Sequence, residues 1–166
     1  MYSRLIFSLG MLLLFVAVGC GSDSSSGPND SGGQDPMSAR IDGTDWSAAV
    51  PLATIASANI VAVSGASGGG TISFGLQFVE GKDTYIVGTD NANAHLYIGS
   101  NAWSAPAGGT IENPDGTSGT ITVTSLTEER IKGTFSFTLK TVQAGTTPVM
   151  RTVTDGAFDV EFNSWE

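Results

Sequence analysis

The sequence is poor in the residue types from which most biochemical sites are built. It has one cysteine, Cys20, and one histidine, His95, among 166 residues. A single cysteine excludes an intrachain disulfide, so the fold rests on its core and its backbone ladders. Zinc, copper and haem sites need several His or Cys ligands, so no metal and no cofactor are expected. Basic residues number 7 against 16 acidic ones, a net charge of −9. That balance opposes nucleic acid and anionic membrane surfaces, which need clustered Lys and Arg. The acidic residues are scattered and form no tail. No segment sustains a 3.6-residue apolar period, and none has the roughly 20 apolar residues of a membrane-spanning helix.

Glycine, with 22 residues, and threonine are plentiful instead. This composition suits short strands joined by tight turns. Alternation of period two is clear in four places. Ile72, Phe74, Leu76 and Phe78 alternate with Ser73, Gly75 and Gln77. Ile121 and Val123 alternate with threonines. Phe135, Phe137 and Leu139 alternate with Thr134, Ser136, Thr138 and Lys140. Phe158, Val160 and Phe162 alternate with Asp159 and Glu161. Each pattern puts an apolar face inward and a polar face toward water, as antiparallel sheets do. Weaker strand patterns cover 39–41, 46–53, 59–64, 84–87, 95–98 and 149–153.

Turn chemistry separates these segments. Asp42-Gly43 signals a hairpin. Residues 65–70, rich in glycine, link two strands, and Glu80-Gly81-Lys82-Asp83 links the next pair. Asn113-Pro114-Asp115-Gly116 is a turn, and Thr127-Glu128-Glu129 closes a hairpin. Asp155-Gly156 marks a turn or a bulge. About nine or ten short strands at regular spacing predict an all-β, antiparallel β-sandwich, with a small β-barrel as the alternative.

The N-terminus places Arg4 before an apolar run, Leu5 to Val18, that ends in small residues. That is the layout of a secretory signal. Ala17-Val18-Gly19-Cys20 resembles the lipobox of a bacterial lipoprotein, with alanine where leucine is usual. The resemblance implies cleavage after Gly19 and acylation of Cys20. An ordinary signal peptide cut nearby is the competing reading, but a lone thiol in an exported chain is a reactive liability. Acylation by two or more chains anchors stably, at about 0.8 kcal/mol per buried CH₂. A lipid-anchored place in the bacterial cell envelope is therefore expected, with the bilayer as a partner through Cys20. Gly21, rather than aspartate, favours the outer membrane where a host has two. Residues 21–36, GSDSSSGPNDSGGQDP, contain no large apolar residue. They read as a flexible linker spanning roughly 20–25 Å. The expected organisation is a signal over 1–19, lipidated cysteine and linker over 20–36, and one all-β domain over 37–166. Loss of Arg4 with the signal takes the net charge to about −10.

The segment Ala39-Arg40-Ile41-Asp42-Gly43-Thr44-Asp45-Trp46-Ser47-Ala48 resembles the start of a group of secreted bacterial lipoprotein domains of unknown function. Residues 83–88, 131–137 and 153–160 fit the same pattern. The resemblance spans most of Arg40–Phe162. It implies an all-β fold and a lipoprotein context, and it brings no activity with it.

The residues give little catalytic chemistry. His95 lies in a strand pattern with no G-x-S-x-G context, so it reads as a sheet histidine. Two carboxyls about 5–9.5 Å apart suffice for glycoside hydrolysis. Solvated surface charge accounts for Glu112, Glu128, Glu129, Asp159 and Glu161. Asp90-Asn91-Ala92-Asn93 and Asn113-Pro114-Asp115 are oxygen-rich, but calcium needs roughly six to eight converging oxygens. Ordinary turn use explains both. Gly68-Gly69-Gly70 and Gly108-Gly109 precede no helix and no G-K-[ST], so they are connections rather than phosphate loops.

Aromatic residues carry the remaining signal. Trp46, Trp103 and Trp165 fall at strand edges or junctions, where exposed rings would stack on sugars. Burial at the ends of the core is the competing reading. The candidate ligand-binding residues are Trp46, Tyr97 and Trp103, with no catalytic residue. The leading reading is a non-enzymatic, membrane-anchored β-sandwich that binds a ligand or glycan. A structural or interaction subunit of an envelope protein complex is the second reading. A carboxylate-based hydrolase is the third.

Overall fold

The computed structural model describes residues 35–57, 59–89, 91–105, 116–142 and 147–163. The expected signal, Cys20 and nearly all of the linker lie outside them, as do Asp90, Gly108, Gly109, Glu112, the 113–115 turn and Trp165. The described residues form eleven strands. They are β1 (Met37–Ile41), β2 (Thr44–Ser47), β3 (Val50–Ser57), β4 (Ile60–Ser67), β5 (Gly70–Gln77) and β6 (Asp83–Ile86). After these come β7 (Ala92–Ile98), β8 (Asn101–Ala105), β9 (Ser118–Leu126), β10 (Arg130–Thr141) and β11 (Met150–Glu161).

All eleven belong to one antiparallel sheet, curled into a half-barrel. Its path runs β2-β1-β11-β10-β8-β7-β5-β4-β3. At β10 the sheet forks. Residues 131–138 of β10 pair with β9, while Lys140 and Thr141 pair with β8. β6 then pairs with β9. The β3 end of the path curls back onto the far side of the sheet, because Ala53 of β3 bridges Phe162 just after β11. Two walls thus enclose one core, as in a sandwich, but the hydrogen bonds run on around the curve as in a barrel.

The alternating segments become β5, β9, β10 and β11, with Ile72, Phe74, Leu76, Ile121, Val123, Phe135, Phe137, Phe158 and Val160 buried. The weaker patterns are strands too, with changed bounds. Residues 46–53 divide into β2 and β3, because the chain crosses over where the Ala48 N–H donates to the Met37 carbonyl at 2.9 Å. Residues 149–153 and 158–162 merge into the long β11. Asp155-Gly156 is therefore a bulge, with Asp155 at φ 52° and register slips against both neighbours. Asp42 and Gly43 both take positive φ, 48° and 81°, as a two-residue hairpin turn requires.

Two expectations need correction. The Glu80–Asp83 connection does not join a paired hairpin, since β6 leaves β5 and pairs with β9. The alternation of β5 also stops one residue early. Phe78 takes φ 59° and turns outward, so Val79 enters the core in its place.

The core is organised by three phenyl rings. Phe74 of β5 lies 5.4 Å from Phe135 of β10 and 5.2 Å from Phe158 of β11. The rings reach this position because glycines lie beside them on the neighbouring strand. Gly133 pairs with Phe158, and Phe135 pairs with Gly156. A Cβ on Gly133 would sit 2.6 Å from the Phe158 ring, and one on Gly156 would sit 2.5 Å from the Phe135 ring. Gly133→Ala and Gly156→Ala should each cost about 3 kcal/mol, the upper end of overpacking. For a domain this size that is a fall of roughly 10 °C in Tm, measurable by calorimetry. An unchanged Tm would show that the rings, and the Thr122 and Phe135 carbonyls that also face the two glycines, can move aside.

Candidate binding surface

Strands β3, β4, β5, β7 and β8 lie side by side, and every second residue points out of the half-barrel. Their register lines those outward residues into rows. One row is Leu52, Ser64, Ser73, His95 and Ser104. A second is Val50, Ala66, Thr71, Tyr97 and Ala102. A third is Thr54, Ala62, Gly75 and Asn93. At ordinary strand spacing the five strands span roughly 20 Å. None of the five carries an Asp, Glu, Lys or Arg. The nearest positive charge along the first row is Lys140 of β10, opposite Ser104.

Small side chains keep the β4, β5 and β8 part of this face flat, Val50 and Leu52 stand out along its β3 edge, and two rings rise from β7. His95 and Tyr97 are two apart on β7 and stack with centroids 6.3 Å apart and planes at 23°. Tyr97 is 45% exposed. Burial pushes the His95 pKa below its usual 6.5, so the ring is neutral at pH 7. Beside them the Asn93 amide lies over Gly75, where a Cβ would sit 3.1 Å from its nitrogen. The arrangement offers a neutral stacking platform flanked by hydroxyls and an amide.

The two described tryptophans are elsewhere. Trp46 is 6% exposed and its indole N–H donates to the Gly70 carbonyl at 3.3 Å. Trp103 is 5% exposed and faces inward opposite Leu96, one residue out of phase with Tyr97. Trp103 and Tyr97 thus occupy opposite faces of the sheet and form no common platform. Of the three candidate ligand-binding aromatics, Tyr97 alone presents its ring.

Trp103 belongs to a cluster at the Ile41–Arg151 end of the half-barrel. The Arg151 guanidinium lies 5.1 Å from the centre of the Trp103 ring and pairs with the Asp42 carboxylate. The other Asp42 oxygen accepts from the Thr152 backbone N–H at 2.9 Å. Burial raises the Asp42 pKa, but the Thr152 and Arg151 hydrogen bonds and the Arg151 charge outweigh it and hold it below the usual value. An open pocket of about 260 Å³ is lined here by Ile41, Asp42, Trp46, Gly69, Ile98 and Arg151. The pair ties the β1–β2 turn to β11.

The remaining carboxylates in view are also paired or dispersed. Asp159 lies 3.3 Å from Arg130 and 3.6 Å from Lys132, and Glu161 lies 3.2 Å from Arg130. Among the described residues, no three His, Cys, Asp or Glu side chains are grouped to hold a metal ion.

A family model described as Domain of unknown function (DUF6252) matches residues 34–159. The chain belongs to the DUF6252 family. No curated protein and no solved structure matches it. The family match covers the segments from which a resemblance to lipoprotein domains of unknown function was read.

In this DUF6252 domain the flat face has a sequence signature that is not a motif. No charged residue occurs between Asp45 and Glu80, nor from Asn91 to Ala105. The missing charge locates the face, and the strand register is needed to assemble it. The Asp42 clamp yields a pH prediction. A carboxyl with a depressed folded pKa contributes stability above the unfolded value of about 3.9 and loses it as pH falls through the folded pKa. Asp42→Asn, which still tolerates positive φ, should lower Tm by a few degrees at pH 7. The gap to the wild type should close in a calorimetric series below about pH 4. A gap that stays constant with pH would show that the charge contributes nothing.

Proposed function

We propose that the chain is a cell-envelope lipoprotein, anchored through acylated Cys20, whose β domain binds an uncharged glycan without catalysis. The observation that carries this reading is the charge-free outer face of β3, β4, β5, β7 and β8, with the His95–Tyr97 stack on β7. Neutral sugars present apolar ring faces edged by hydroxyls. A flat surface of Ser, Thr and Asn around two aromatic rings matches both features. In a chain of net charge −9, a face without charge also avoids repelling a neutral polymer while giving no anchor to an ionic one. The paired state of Asp159, Glu161 and Asp42 supports a non-catalytic role, since a carboxylate held by arginine is a poor general base.

A thermal-shift screen of the mature chain against neutral and charged oligosaccharides tests the reading. A ligand at 100 times its Kd stabilises by about 2.7 kcal/mol. Tyr97→Ala should weaken binding about tenfold, the loss of one stacking contact of about 1.4 kcal/mol, with the fold intact. Affinity should be flat above pH 6.5 and fall below it as His95 gains charge, and His95→Gln should remove that dependence. If no neutral glycan gives a saturable shift, the glycan reading fails and a protein partner takes its place.

A further inference from the structure

Three apolar side chains are exposed together at the end of the half-barrel opposite the Asp42 clamp. Ile55 lies two residues before the end of β3, Ile60 opens β4, and Phe78 follows β5. They are 50%, 38% and 68% exposed. The backbone groups Ile60 with Phe78, because Ile60 pairs with Gln77 and the Val79 N–H donates to the Asn59 carbonyl at 2.9 Å, and Ile55 lies on the neighbouring strand opposite Val61. Phe78 is held out with φ 59°, a conformation a bulky residue rarely adopts. Turning it inward would cost Val79 its place in the core, so the fold presents an aromatic ring at its tip.

The N-terminus enters the fold at the same end. The Asp159 N–H donates to the Pro36 carbonyl at 2.8 Å, and β1 runs away from that point toward the clamp. Three residues on, Phe162 bridges Ala53, two residues before Ile55. The linker read from residues 21–36 therefore leaves toward the apolar tip from a point roughly 17 Å short of Ile55, within its mean reach of roughly 20–25 Å. A bilayer holding the far end of that linker would face this tip, at an effective concentration high enough for a weak contact to form.

We infer that Ile55, Ile60 and Phe78 dock the domain on the interface of the phospholipid layer that anchors it; this rests on the anchored reading of Cys20. The charge around the tip is mixed: Glu80 and Lys82 follow Phe78, and Arg130 pairs with Asp159 and Glu161 nearby. A mixed, near-neutral surround has no need of anionic lipid and fits a zwitterionic surface. With the tip on the membrane, the neutral outer face stands upright from it.

Hydrogen exchange on the full chain, reconstituted in phosphatidylcholine vesicles and compared with detergent-released protein, tests the docking. Exchange at residues 59–61 and 77–80 should slow at least tenfold, with 93–104 unchanged. Phe78→Asn should abolish that protection without unfolding the domain, since asparagine tolerates positive φ. Intact mass of the same sample reports acylation separately. An acylated chain with an unprotected tip overturns the docking and leaves the anchor. A non-acylated chain with a protected tip supports the docking and overturns the anchor. Protection that appears without vesicles and grows with protein concentration identifies a second copy as the occupant and overturns the proposal, as does protection that requires anionic lipid.

Discussion

The half-barrel is held by three phenyl rings that share one space. Phe74 comes from one wall, Phe135 and Phe158 from the other, and the last two lie across from glycines on each other's strand. Reciprocity matters here. Each strand supplies one ring and one vacancy, so β10 and β11 must pair in this register for either ring to fit. That register places the Asp155 bulge, which bends β11 enough for β1 to follow it. The β1–β2 hairpin can then fold over the sheet, with Met37 and Trp46 packed where a Cβ on Gly65 would otherwise stand. The outer face is flat along β5 because the inner face is complete, with Ile72, Phe74 and Leu76 all taken into the core.

Charge divides the molecule in the same way. One half, β3 to β5 with β7 and β8, has none. The other half carries the ion pairs of Arg40, Arg130, Lys132 and Arg151 with their acidic neighbours. Such surface pairs are worth about 0–1 kcal/mol each, so they do not explain the stability of that half. Their placement is informative instead. A net negative body keeps copies apart, and the uncharged face stands outside that repulsion.

Much of the architecture was legible in sequence because β5, β9, β10 and β11 alternate large apolar residues with polar ones, which only a half-buried strand requires. Asp42-Gly43 was legible for a similar reason, since few residue pairs accept two positive φ angles. Other features were not. In β8 the residues around Trp103 are Ala102, Ser104 and Ala105, and small residues give no contrast between faces. The pairing of β6 with β9 joins segments far apart in the chain, which no local pattern encodes. Trp103 and Tyr97 looked equivalent because the strand phase was unknown, and one residue of phase decides which ring meets solvent. Phe78 followed a perfect alternation, and only the tertiary need for Val79 in the core reverses it. The lipobox expected around Cys20 lies outside the described residues.

Met37 in the first strand pairs with Phe158 in the last. That closure has a kinetic meaning for a chain that emerges N-terminus first. The hairpins of β3, β4 and β5 can form early from local contacts, but the wall they must pack against arrives with the final strand. Contacts this distant in sequence make folding slow. Until β11 appears, the uncharged run from Trp46 to Val79 has no cover and no charge to keep it apart from other chains. The burden of protecting the nascent domain therefore falls on whatever receives the emerging chain, and a truncation of β11 that removes residues 153–158 leaves the first strand with β2 as its partner and without its place in the long sheet.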